Sequence, residues 1–264
     1  MKNFLLLIIV AVMVLSCSPF QRAMKTDDVA VKYKVADQLF EAGKYSKALQ
    51  LFDQLSPVYK GKPQAEKMFF QYAMALYKTK DYYAAGYQFE KFTSSYPKSE
   101  KAEEAAFYGA ISSTKLSPTY SLDQVETDKA IDKLQGFIDQ YPESKYMTEV
   151  NGNVKLLREK LEIKAYEIAK QYNTISDYKA ALIALDLFIS DFPGTPLKEK
   201  ALFYKLDSAY KLAINSVISK MQERLKISKS AYTNLIKFKA DTQYKVQADE
   251  MLAKIDKDLE QFSK

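Results

Sequence analysis

The chain of 264 residues holds one thiol, Cys17, and no imidazole at all. Those two counts remove most nucleophilic, general-base and metal chemistry. Without histidine no side chain has an unperturbed charge change near neutrality, and Cys–His or Ser–His nucleophile pairs cannot be assembled. Almost all ordinary zinc and haem ligand sets go with it. No glycine-rich phosphate loop is present. Asp and Glu together number 33, enough for a carboxylate-only hydrolase, yet spacing sets no pair apart. The expectation is a protein with no catalytic residue, no cofactor and no metal, hence not an enzyme. Its 39 basic residues give a net charge of +6 and are spread along the chain, as on a solvated helix surface. No nucleic-acid partner is expected.

The position left for chemistry is Cys17 itself. "MKNFLLLIIVAVMVLSCS" opens with Lys2, runs through the apolar stretch Phe4–Leu15 and ends in Val14-Leu15-Ser16-Cys17. A helix of that apolar stretch is roughly 18 Å long, too short for a hydrocarbon core of about 30 Å. A positive start and a short apolar core read as a secretory signal over residues 1–16. The last four residues resemble a bacterial lipobox, in which cleavage precedes a cysteine that is then acylated. Cys17 is therefore the expected lipidation site, followed by a lipidated linker over 17–28; the alternative is an ordinary signal ahead of a buried cysteine. One acyl chain binds a membrane only marginally and several hold it firmly. The following "SPFQRAMKT" lacks both the Asp that favours inner-membrane retention and an acidic run of the kind that sends lipoproteins outward. The expected location is the outer membrane, lipid-anchored and facing the periplasm.

Behind that address the chain writes one skeleton repeatedly. Ala181, Leu185, Phe188, Phe192 and Pro193 recur as Ala130, Leu134, Phe137, Tyr141 and Pro142, and as Ala85, Phe89, Phe92, Tyr96 and Pro97. Ala48, Phe52, Leu55 and Tyr59 carry it without the Pro, and Ala231, Leu235 and Phe238 carry a worn copy. Steps of four, three and four make one stripe on an α-helix. The Pro stops it, because it lacks a donor and disfavours helical geometry in the preceding residue.

Each stripe helix has a partner before it. Val35, Ala36, Leu39 and Phe40 precede the first, and Phe69, Tyr72, Ala73 and Leu76 the second. The turns "AGKYSKA", "TKDYYAA" and "ISDYKAA" correspond, each with a Tyr (Tyr45, Tyr82, Tyr178) that can wedge between its helices. The third pair carries an insertion, "LSPTYSLDQVETD". The fourth opens on a long helix with an expected stripe of Leu157, Leu161, Ala165, Ile168 and Tyr172. Glu199, Phe203 and Tyr204 in the fifth echo Glu103, Phe107 and Tyr108. Ala248, Leu252, Ile255, Leu259 and Phe262 form the inner stripe of a terminal cap. The second pair fits the tetratricopeptide pattern best, through Leu76, Ala85, Phe89 and Pro97. The expected fold class is an all-α, tetratricopeptide-like solenoid of five helix-turn-helix pairs with a C-terminal capping helix. Its pairs one to three occupy 29–143, and pairs four and five with the cap occupy 144–264.

Solenoids of this kind bind extended peptides along their first helices. Alignment on the repeat puts Tyr33, Asp37 and Phe40 on that face, followed by Phe70, Met74 and Tyr77, then Phe107 and Ile111. An aromatic, Met-containing trough suits apolar side chains of a client.

The lipobox, five tetratricopeptide-like pairs and the turns Tyr96-Pro97-Lys98-Ser99 and Tyr141-Pro142-Glu143-Ser144 together resemble the BamD family of outer-membrane lipoproteins. The resemblance runs over nearly the whole mature chain. It implies an adaptor of the β-barrel assembly machinery, with unfolded outer-membrane β-barrel proteins received by 29–143 and the POTRA domains of BamA docked on 144–264. The insertion after Lys115 and the missing Pro in the fifth pair depart from the pattern. A tetratricopeptide lipoprotein that scaffolds periplasmic cell-wall enzymes or proteases shares the same fold and anchor. A glycan-capturing lipoprotein would favour tryptophan, of which there is none.

Overall fold

The computed structural model describes residues 18–62 and 64–262; the expected signal peptide and Cys17 lie outside them. All regular structure among the described residues is helical. A short α1 (Pro19–Lys25) precedes five pairs: α2 (Val29–Glu41) with α3 (Tyr45–Leu55), α4 (Ala65–Lys78) with α5 (Tyr82–Ser95), α6 (Ala102–Thr114) with α7 (Val125–Gln140), α8 (Met147–Thr174) with α9 (Tyr178–Asp191), and α10 (Lys198–Ile214) with α11 (Ile218–Phe238). The terminal helix is α12 (Lys245–Glu260). Five pairs and a cap are what the stripes predict. The stretch read as a linker also contains α1, which Ser18 and Gln21 start with a reciprocal capping box.

The starts and stops are local chemistry. Asp28, Asp81 and Asp177 accept backbone N–H bonds at the first turns of α2, α5 and α9. The tight turns inside pairs one, two and four place Gly43, Lys80 and Ser176 at matching positions, all with φ between 66° and 71°. Only glycine takes that geometry without a steric cost. Tyr96, Tyr141 and Phe192 leave the helical region just before their prolines.

The chain forms two compact units, one running through Pro118 and resuming at Asp123–Leu157, the other made of Thr119–Leu122 and everything from Arg158. Within the first, neighbouring helices pack in chain order, and the first helices of successive pairs touch, α2 on α4 and α4 on α6. Its core holds Phe52, Leu55, Phe89, Phe92, Leu134 and Phe137. In the second, α9, α10, α11 and α12 pack in the same manner around Leu185, Phe188, Leu225, Leu235 and Ile255. The repeated alanines Ala48, Ala85, Ala130 and Ala181 are fully buried. At the α5–α6 crossing the approach is closer still: a Cβ on Gly109 would stand 3.3 Å from that of Phe89.

Two stripe assignments are corrected. Phe238 is 48% exposed, with the Lys198 ammonium 5.3 Å from its ring. α11 ends there in an extended residue, Lys239, and the ring, on the last helical residue, stays at the surface. In the second half of α8 the buried row is Tyr166, Ala169 and Asn173, one position on from the expected one, while Ile168 and Tyr172 face solvent. Tyr166 packs on Phe188, and Asn173 donates to Asp207 and Ser208 at 2.7 and 2.8 Å. Those partners fix the phase.

Candidate functional site

The eight candidate binding residues fall on three successive first helices: Tyr33, Asp37 and Phe40 on α2, Phe70, Met74 and Tyr77 on α4, Phe107 and Ile111 on α6. Contacts between those helices bring them into one run. Asp37 pairs with Lys67 at 2.7 Å and accepts from Gln71 Nε2 at 2.7 Å, and the same amide reaches Glu41 at 3.3 Å. Phe70 packs edge-on against Phe89 and Phe92 with centroids 6.2 and 5.6 Å away. Tyr77 meets Tyr108 at 4.9 Å.

Not all eight are open to a ligand. Tyr33, Met74, Phe107 and Ile111 are buried, which corrects the expectation that these four line the trough. Asp37, Phe40, Phe70 and Tyr77 remain partly accessible. Tyr33 is closed over by Tyr59, 5.1 Å away. Phe107 lies flat on Tyr146, centroids 4.0 Å apart and planes within 10°.

The Phe107–Tyr146 stack belongs to a recurring clamp. Ser144 donates to Glu103 at 2.6 Å while accepting the Tyr146 amide. Thr242 donates to Glu199 at 2.6 Å and accepts the Tyr244 amide, and Tyr244 stacks on Phe203 at 4.1 Å. Ser99 donates to Glu66 and accepts the Lys101 amide, and the Lys101 ammonium sits 5.3 Å over Phe70. In each case the early Glu of a first helix, and the aromatic four residues on, grip the Ser/Thr-x-Tyr/Lys that stands before the helix after next, the opening of the next pair or of the cap. The clamp uses Phe70 and Phe107 for packing between pairs. The "YP.S" turns were its visible half; its other half, the Glu, was visible only as an echo between Glu103 and Glu199.

Electrostatics follow the same contacts. Burial would raise the Asp37 carboxyl, but the hydrogen bonds from Lys67 and Gln71 and the lysine charge outweigh it and hold it below its ordinary 3.8. Burial, reinforced by Asp37 and Tyr59, pushes Tyr33 up to about 12. The Thr242 hydrogen bond, joined by those from the Lys239 ammonium and the Gln243 amide, outweighs burial and holds Glu199 below its ordinary 4.5.

A further concavity has no counterpart in the expected site. A cleft of 650 Å³ opens between the end of α3, the loop after it, α4 and α5. Phe69, Tyr72, Phe92 and Tyr96 give it aromatic walls, with Lys60 and Lys91 also lining it. Tyr72 donates to Asp53 at 2.7 Å. It exists because α3 stops at Leu55 and α4 starts only at Ala65. The sequence signal for that longer loop is Pro57, which has no N–H to continue α3 and comes three places before the repeat would put its Pro.

No helix among the described residues is long and apolar enough to cross a membrane. The family described as "Outer membrane lipoprotein", YfiO, matches residues 25–225. Over 235 residues the chain is 19% identical to the outer membrane protein assembly factor BamD of Haemophilus influenzae, covering 85% of this chain and 90% of that protein. It is 24% identical over 165 residues to the BamD of Buchnera aphidicola, covering 59% of this chain and 67% of that one. A match spanning all but the two ends, on a frame of five helix pairs, decides the family: the chain belongs to the YfiO/BamD outer membrane lipoproteins.

Proposed function

We propose that this protein is a lipid-anchored adaptor of outer-membrane β-barrel assembly, acylated at Cys17 and facing the periplasm. The family match along nearly the whole chain carries this reading. Residues 29–143 receive unfolded outer-membrane proteins, and 144–264 dock onto the POTRA domains of BamA. The work is binding, with no bond made or broken. β-Barrel strands commonly end in an aromatic residue, and the accessible Phe40, Phe70 and Tyr77 beside Asp37 offer it an apolar seat with a polar margin. Affinity is modest, because an unfolded client is ordered on binding and must later be released.

The cleft walled by Phe69, Tyr72, Phe92 and Tyr96 is the second candidate seat, favoured by its volume and aromatic lining. Two variants separate the seats. Phe70→Ala with Tyr77→Ala strips the first; Ser95→Trp plugs the second, since Ser95 lines it. Binding of a barrel carboxy-terminal peptide, read by fluorescence anisotropy, falls at least tenfold in the variant that hits the true seat. Circular dichroism of each variant confirms that it remains folded. Affinity purification from outer membranes recovers BamA with the wild-type protein; recovery of cell-wall enzymes in its place overturns the adaptor reading.

A further inference from the structure

The short α1 determines where an anchor would leave the folded body. It packs on α2 and α3 through the buried Ala23, with Phe20 and Met24 half-buried beside it. Phe20 lies under the Lys47 ammonium, 5.6 Å from it. Lys47 is in the first turn of α3, so α1 begins at the edge of the first unit that carries the tight turns within its pairs. Cys17 precedes Phe20 by three residues, which keeps their Cα atoms within about 11 Å.

That edge is basic. Lys44, Lys47 and Lys78 line a shallow depression of 500 Å³ together with Ser46 and Thr79, and Lys80 projects from the adjoining turn. All four lysines are exposed, and none of the first three pairs with a carboxylate among the described residues. Within the first two pairs the acidic neighbours are Glu41, which accepts from Gln71, and Asp81, which caps α5, and four positive charges exceed these two; on the Tyr83 side α7 opens with Glu126 and Asp128, of which Glu126 is paired with Lys129. Tyr83, 79% exposed, stands in the first turn of α5 at the same edge.

We infer that this edge of the first unit is a membrane-docking surface for anionic phospholipid headgroups. The inference rests on the acylation of Cys17 proposed above. An acylated cysteine sits at the boundary between headgroups and acyl chains, which brings the lysines close to the surface potential before it decays over a Debye length of about 8–10 Å. Each lysine held there strengthens binding about fivefold. A tyrosine ring, apolar in body and polar at its tip, suits headgroup depth. The surface lays the first helix pairs against the bilayer by their turns.

The full-length acylated protein is reconstituted into vesicles of phosphatidylcholine, or of phosphatidylcholine mixed with phosphatidylglycerol. Its lysines are then labelled with a water-soluble amine reagent and read by mass spectrometry. Lys44, Lys47 and Lys78 label at least about fivefold more slowly on the anionic vesicles, and high salt abolishes the difference. Lys98, beyond the far end of α5 and roughly 21 Å along the helix axis, labels equally on both. Equal labelling of the three lysines on both vesicles overturns the inference while leaving the anchor intact. A mature protein with no acyl group by intact mass, or one that does not float with vesicles, overturns the anchor and this inference together.

Discussion

Phe89 measures what one side chain of the repeated stripe contributes. It is fully buried, between Phe70 and Tyr108. Phe89→Ala is expected to lower stability by about 3–5 kcal/mol, because the close packing leaves a cavity that cannot collapse fully. Phe238→Ala, at the place in the fifth pair that Phe92 holds in the second, costs under about 1 kcal/mol, since the ring is half in water already. Urea midpoints of the two variants give both figures. Steps of four, three and four made Phe89 readable as core, but the same spacing in α11 could not tell that Phe238 would lie past the last supported turn. Tyr33 carries a prediction in pH. Its folded value near 12 lies above the 10 of an exposed tyrosine, so the unfolded chain gives up its proton first as pH rises. The associated stability is whole below pH 10 and is lost between about 10 and 12. Tyr33→Phe should flatten that alkaline fall in thermal midpoint; an unchanged slope would mean the phenol is hydrated in solution.

Among the elements, the joints between pairs were the least legible. Ser144 appeared in sequence as part of a helix-stopping turn, and Phe107 as part of a binding trough. Only their meeting with Glu103 and Tyr146, contributed from both sides of α7, makes them one clamp. A hydrogen bond to a carboxylate is worth about 1.5–3 kcal/mol, so Ser144→Ala is expected to cost near the lower figure. The double variant with Glu103→Ala should cost little more than Glu103→Ala alone, because each substitution removes the same bond. Additive losses would show that the two residues act separately. The helix α8 is the other failure of sequence reasoning, and it has a clear cause. Over 28 residues it carries two adjacent apolar rows, one through Leu161, Ala165 and Ile168, the other through Tyr166 and Ala169. Periodicity alone fits both. Phe188 of α9 and the polar pair Asp207 and Ser208 of α10 select the second.

For the molecule as a whole, five stripes predicted five pairs, and five pairs form; the tether expected from the first seventeen residues lies outside the described residues. What the sequence alone could not deliver was the accessible part of the trough, since burial depends on which neighbours arrive. The cap is the feature on which the second unit's integrity turns. Ile255 is fully buried against the end of the stack, in one cluster with Leu225 and Leu235. Ile255→Ala should cost about 2–5 kcal/mol. Ile255→Asp, which sets a charge in that apolar seat, should leave α12 undocked and the protein prone to self-association, visible by light scattering. Scattering like that of the wild type would show that α12 is dispensable.

The clamp joining successive pairs has a hereditary side. Each copy is made of a glutamate and an aromatic from one pair and a short Ser/Thr motif at the threshold of the next, so a tandem duplication cut at those thresholds would duplicate complete joints along with complete pairs. A gene of this design gains or loses a pair in one recombination step at the joints that carry the clamp, with the seam there still closed. Altering the angle at one seam is harder, because compensating changes must arise on both sides of the same joint.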